Sequence, residues 1–291
     1  MDRITRRALV GSGALVVAGV TLGGVLGALS KRPEAKVADR IRARRIDRVP
    51  AEDPASEAWY EAAPIVVPLG PQQAVPPYLG SASIAELVVE ALHDDDELAL
   101  RLGWDDPSQD DLSGIGRFGD AVAVQLPTAA GGTPAITMGA PGAPVHVVQW
   151  RASWQRDLVE RTGVETLYPG LARDTIPEDV FPAETAVLWY PGRAAGNAIS
   201  AAGRSSSIQE LVAEGFGTLT PLPDQRARGA AAWADGRWTV ALGFPLDRAG
   251  AGDALAPGTS WPVAFAVWAG SDGNRGGRKH FADWKTLEVR A

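Results

Sequence analysis

Few side chains in this 291-residue chain have the chemistry to bind a metal or do acid–base work, which makes those few easy to single out. Cysteine is absent, which excludes disulfides, thiolate metal sites, iron–sulfur ligation and covalently attached c-type haem. Of two methionines only Met138 is internal, in the run Ala135-Ile136-Thr137-Met138-Gly139-Ala140-Pro141-Gly142. Lysine occurs at positions 31, 36, 279 and 285 only, so Lys279 is one of two in the body of the protein. A methionine thioether is a soft ligand and otherwise a core filler; a lysine amine ligates only when neutral and otherwise sits in solvent. The three histidines are His93, His146 and His280, and two of them lie close in sequence to Met138 and Lys279. Acidic clusters at Asp94-Asp95-Asp96, Asp105-Asp106 and Asp110-Asp111 have the residue types of a Ca²⁺ loop or a glycosidase pair, although Asp in such runs commonly forms solvated turns. No serine-hydrolase elbow or phosphate loop is present. Ten tryptophans offer stacking platforms for carbohydrate, yet Trp104, Trp150, Trp189, Trp238 and Trp268 fall inside apolar strands where core burial is the plainer expectation.

The elements that position these residues begin with an asymmetric charge distribution. Residues 1–48 hold 11 Lys/Arg and 4 Asp/Glu, a net of +7, whereas residues 49–291 hold 17 and 31, a net of −14. An acidic body excludes nucleic acid as partner, since phosphate binding needs a basic face. Residues 8–30 carry no charge and are long enough for one membrane-spanning helix, with Gly19, Gly23 and Gly27 at four-residue spacing. Arg6-Arg7 ahead of them resembles a twin-arginine export signal without a clear cleavage site, so 1–30 is expected to be an uncleaved anchor. The basic charges at 31–48 argue for a cytoplasmic body and the twin arginine for an extracytoplasmic one; the second is the expectation taken here. Residues 31–52 read as a basic juxtamembrane linker in which Arg40 to Arg48 are solvated.

From residue 53 to 291 strand patterns dominate. Expected strands cover 64–69, 83–92, 97–104, 121–126, 145–151, 186–189, 261–268 and 284–289, with a hairpin across Asp235-Gly236 between Trp233 and Trp238. A single short amphipathic helix is expected over 206–214. Many short strands with Gly/Pro turns predict a mainly β domain, an antiparallel β-sandwich with a few short helices.

Several blocks in order along 53–290 resemble the ethylbenzene-dehydrogenase-type haem b domain. They are Asp53-Pro54 with Trp59 and Pro64; Trp104-Asp105-Asp106; Phe118 with Asp120-Ala121-Val122-Ala123; Met138-Gly139; and Gln149-Trp150-Arg151-Ala152. Further on come Ala195-Gly196-Asn197, Gly215-Phe216-Gly217 and the last block, Val263 to Trp268, Gly270-Ser271, Lys279 and Trp284. The chain is thereby similar to the γ subunits of type II dimethyl-sulfoxide-reductase-family enzymes. The resemblance implies one haem b held between Met138 and Lys279, with Arg278 and Arg275 near the propionates. A soft thioether favours ferrous iron and raises the potential. His280 and His146 are the alternative ligands; adjacent strand residues face opposite ways, so only one of Lys279 and His280 can face the iron, and the resemblance selects Lys279. It also implies that the chain is not itself catalytic, that its partners are a molybdopterin catalytic subunit and an iron–sulfur subunit, and that electrons pass to or from a cytochrome c or quinone. A carbohydrate-binding module and a stand-alone b-type cytochrome are the competing readings of the same sandwich.

Overall fold

In the computed structural model residues 34–160 and 204–291 are described, together with 166, 169, 191–195 and 197 between them. The expected membrane anchor and the expected strand over 186–189 lie outside the described residues. Among the described residues no helix is long and apolar enough to cross a membrane.

The strands in chain order are β1 (Lys36–Val37), β2 (Arg40–Arg45), β3 (Ile65–Pro68), β4 (Gly70–Pro71), β5 (Glu86–His93), β6 (Glu97–Asp105), β7 (Ala121–Pro127) and β8 (Val145–Arg151). They continue with β9 (Ile208–Ala213), β10 (Thr220–Pro221), β11 (Arg228–Ala234), β12 (Arg237–Pro245), β13 (Ser260–Trp268), β14 (His280–Phe281) and β15 (Lys285–Val289). The helix α1 (Ala152–Val159) follows β8 directly. The domain is mainly β, as the strand patterns predict. The hydrogen-bonded path runs β10-β9-β8-β7-β13-β15-β2-β5-β6-β12-β11. It brings β7, β8 and β13 to one side and β5, β6 and β12 to the other of a shared core. Trp104 of β6, Trp150 of β8 and Trp238 of β12 meet in the middle of that core, all but sealed from solvent, with Trp150 and Trp238 ring centres 4.9 Å apart. Burial of such rings contributes on the order of 2–3 kcal/mol each.

Three sequence expectations are corrected here. The pairing is not wholly antiparallel, because β2 lies parallel to both β15 and β5, and β1 parallel to β3. Residues 36–45 are accordingly not a solvated linker. In Arg40–Arg45 the alternation hides Ile41 and Ala43 in the core, while Arg40, Arg44 and Arg45 reach Glu288, Glu61 and Asp95 on the surface. The segment expected to be a helix over 206–214 is the strand β9, paired antiparallel to β8. Its buried Glu210 accepts the backbone N–H groups of Arg226 and Ala227, satisfying a charge that a helix would have placed in water. The hairpin of β11 and β12 turns across Asp235 and Gly236 at φ 52° and 72°, the left-handed pair a two-residue turn requires.

Candidate functional site

The outward face of β7, β8 and β13 is built from small side chains. In Ala121–Pro127 the residues Ala121, Ala123 and Gln125 point outward while Val122, Val124 and Leu126 enter the core. Cross-strand register sets Ala266 beside Ala123, Ala264 beside Gln125, and Gln149 on the other flank of Ala123. A row of alanines leaves a shallow floor where larger residues would have filled the space. Over it lies a cavity of about 770 Å³, within the usual range for small-molecule sites. Its walls come from the loops 72–77, 113–119, 136–138 and 216–219 and from 274–282.

Met138 and Lys279 both line this cavity, although 141 positions separate them in sequence. Met138 packs on the alanine floor through the cluster formed by Ala121, Ala123, Val147, Ala213, Ala266 and Trp268. Its backbone is left-handed at φ 69° and is followed by Gly139 at φ 80°. At Gly139 a Cβ would sit 2.7 Å from the Ala143 carbonyl oxygen, so glycine is required there. The Gly215 N–H closes the turn by donating to the Met138 carbonyl at 2.7 Å. A non-glycine residue held left-handed costs about 1–2 kcal/mol, a cost that marks sites where side-chain direction matters.

Lys279 ends the loop between β13 and β14. Its carbonyl accepts the Gln72 N–H at 2.9 Å, and the Gln72 amide also donates to the Gly277 carbonyl at 2.8 Å. The Lys279 amine has no hydrogen bond or ion pair among the described residues; its one contact of note is the Trp268 ring, 5.3 Å away. The half-buried side chain opens into the cavity, and burial pushes its pKa down to about 8.

The histidines are placed elsewhere. His280 is fully buried on the face opposite Lys279, with Nε2 accepting the Ser83 and Ile84 N–H groups at 3.0 and 3.2 Å and Nδ1 donating to the Val267 carbonyl. His146 points into the core on the far side of β8, edge-on to Phe244 and 3.4 Å from Glu210. Burial lowers its pKa, which keeps it neutral at pH 7. Neither lines the cavity, whereas Met138 and Lys279 do. Of the two arginines expected near it, Arg275 lines the cavity and Arg278 does not. Two arginines that sequence reasoning passed over, Arg117 and Arg151, do line it.

The acidic runs serve the fold. Asp94 accepts the Val49, Asp96 and Glu97 N–H groups of a turn, Asp95 pairs with Arg45, and Asp105 pairs with Arg237. Asp120 lies at the edge of the cavity and ties three segments together. It accepts the Asp110 and Gly270 N–H groups at 2.8 Å and the Trp238 indole N–H at 2.9 Å. Burial raises its pKa to about 7. Its oxygens lie within 4.8 Å of those of Asp106 and Asp110. Among the described residues the tryptophans are buried except Trp233 and Trp284, which are half-buried.

The donor set fits the haem b that the resemblance implies: one thioether, one amine without a counter-ion and a floor of small residues share one apolar cavity. A profile of the ethylbenzene dehydrogenase family matches residues 56–280. The chain belongs to the ethylbenzene dehydrogenase family. Among relatives of this family member, the ORF7 protein of Haloferax mediterranei, named as a respiratory nitrate reductase heme subunit, is 29% identical over 245 residues. That match covers 82% of this chain and 70% of the relative. The chlorate reductase subunit gamma of Ideonella dechloratans is 25% identical over 281 residues, covering 95% and 93%. Among solved structures, a family 9 carbohydrate-binding module from Caldicellulosiruptor kristjanssonii in complex with cellotriose aligns with TM-score 0.41 and 8% identity, over 87% of this chain and 94% of that one.

Proposed function

We propose that this chain holds one haem b in the cavity, with Met138 and Lys279 as axial ligands, and acts as an electron-transfer subunit of a molybdopterin oxidoreductase complex. The observation that carries the reading is that the single internal methionine, on a strained turn, and a lysine with no ion partner line the same apolar cavity. Membership of the family and the names of the two relatives support it. When bound, the haem supplies one-electron chemistry between ferrous and ferric iron.

The chain's own residues do the rest. The turn at Met138-Gly139 aims the thioether over the alanine floor, and burial makes the Lys279 amine cheap to deprotonate. Trp268 anchors the Lys279 loop by donating its indole N–H to the Gly276 carbonyl at 3.0 Å. Phe118, Phe281 and Trp268 add aromatic surface to the cavity wall. Met138 and Lys279 would both hold the haem, and a group held by two protein side chains would suit electron relay rather than substrate turnover. In this reading a catalytic molybdopterin subunit and an iron–sulfur subunit exchange electrons with the haem, and a cytochrome c or quinone is the outer partner. Residues 1–30 anchor the chain in the membrane with the domain on the extracytoplasmic side.

A reduced-minus-oxidised spectrum of the haem-loaded protein tests the ligation. The expected result is a six-coordinate low-spin haem that becomes five-coordinate in Met138→Ala and in Lys279→Ala and is unchanged in His280→Ala. Failure to take up haem, or ligation disturbed by His280→Ala and not by Lys279→Ala, overturns the assignment. Purification of the native complex with molybdopterin and iron–sulfur subunits separates the subunit from a stand-alone cytochrome.

A further inference from the structure

Four basic residues, Arg117, Arg151, Arg275 and Lys279, line the cavity against one acidic residue, Asp120, whose oxygens are already taken by N–H donors. In a body of net charge −14 this inverts the average. Arg151 is the informative member. It ends β8 and lies opposite Ala121 on the floor. Its Nη2 donates to the side-chain oxygens of Gln149 and Gln209 at 2.9 and 3.1 Å, and both partners are neutral amides. Among the described residues its Nε, sealed from solvent, has no acceptor and Nη1 makes no hydrogen bond.

The nearby carboxylate goes to a different arginine. Trp154 carries both guanidinium groups, Arg151 at 4.9 Å and Arg204 at 4.1 Å from its ring. Asp157 pairs with Arg204 at 3.0 Å, leaving Arg151 without an anion among the described residues. Burial and the neighbouring Arg204 charge push the Arg151 pKa down to about 10, which still leaves it cationic. Arg151 is half-buried; a partly desolvated cation with no counter-ion among the described residues is costly, and one facing a ligand cavity is relieved by a negative group on the ligand. Arg275 differs: it is exposed, stacked on Phe118 and bonded to the Gly273 carbonyl, so solvent already screens it.

We infer that Arg151 forms an anion subsite in the cavity and takes a carboxylate of the bound ligand, which for the haem of the proposed function is a propionate. The inference rests on that function for the ligand's identity and on Arg151 for the anion. It assigns a binding role to a residue that in sequence is only a member of the Gln149-Trp150-Arg151-Ala152 block at the end of a strand, and it replaces Arg278.

The test titrates the purified full chain at neutral pH with iron protoporphyrin IX, with its dimethyl ester, and with iron-free protoporphyrin IX, which needs no axial ligand. The wild type is expected to bind the free acids at least about tenfold more tightly than the ester. Arg151→Gln should lose that preference by weakening the free acids alone, and Arg151→Lys should retain part of it. An unchanged preference in Arg151→Gln overturns the inference while leaving haem binding intact. Equal weakening of acid and ester assigns Arg151 a structural role and also overturns it. A chain that binds none of the three porphyrins overturns the haem reading and the subsite with it.

Discussion

The two faces of the β7–β8–β13 sheet are written by the same strands and do opposite things. The inner face carries Val122, Val124, Val148, Trp150, Phe265 and Val267, packed against β5, β6 and β12 and closed to solvent. The outer face carries Ala121, Ala123, Ala266 and Gln149, with a cavity above them. Bulk on one side gives cohesion; its removal on the other gives room. A strand's two-residue period lets stability and binding be set independently, one on odd positions and one on even.

Trp150→Ala is expected to break this contrast most severely, destabilising the domain by about 3–5 kcal/mol in denaturant unfolding, because it empties the inner face. Gly139→Ala should cost less, about 1–3 kcal/mol, since its Cβ meets two carbonyl oxygens and its φ is left-handed; the same spectral titration should show weakened haem uptake through the displaced Met138. Ala123→Phe sharpens the contrast from the other side. It should cut haem affinity at least about tenfold while changing unfolding free energy by less than about 1 kcal/mol, because it fills space that the fold does not use. The smallest effect concerns the edge of the cavity. Asp120 has its pKa raised from 3.8 to about 7, so its contribution to stability is complete below pH 4 and is lost as pH rises through 7. Asp120→Asn should therefore flatten the fall in Tm between pH 5 and 8, by about 2–4 °C, whatever its absolute stability.

The strands that carry the inner core were legible because hydrophobic alternation and the Asp235-Gly236 turn are local signals. The blocks shared with the family also pointed to Met138 and Lys279, which the fold does bring to one cavity. Composition flagged both as rare, but nothing local says that residues 141 apart meet. Two misreadings had the same cause. In β2 the arginines hid a two-residue period in Ile41 and Ala43, and in β9 the segment 206–214 reads as an amphipathic helix although Glu210 is held by the distant backbone amides of Arg226 and Ala227. The alanine floor was visible as Ala-Val-Ala-Val at 121–124 and Ala-Phe-Ala-Val at 264–267, yet small residues on a strand read as weak core until a second strand supplies the same pattern in register. In sequence Arg151 is one member of the Gln149-Trp150-Arg151-Ala152 block; its lack of a counter-ion among the described residues is a property of three dimensions.

The lysine's tether has a bearing on the order of assembly. Gln72 fastens the Lys279 loop to the 72–77 segment, and β14 joins β13 to β4, so the place of the amine depends on pairing between segments about 200 residues apart. The methionine turn is closed by Gly215, another distant segment. Most of the cohesion comes from the opposite side of the sheet, so on the proposed reading folding would precede loading. The cofactor would then act as a late clasp between two loops, adding most to resistance against local opening at the rim and least to the strength of the core.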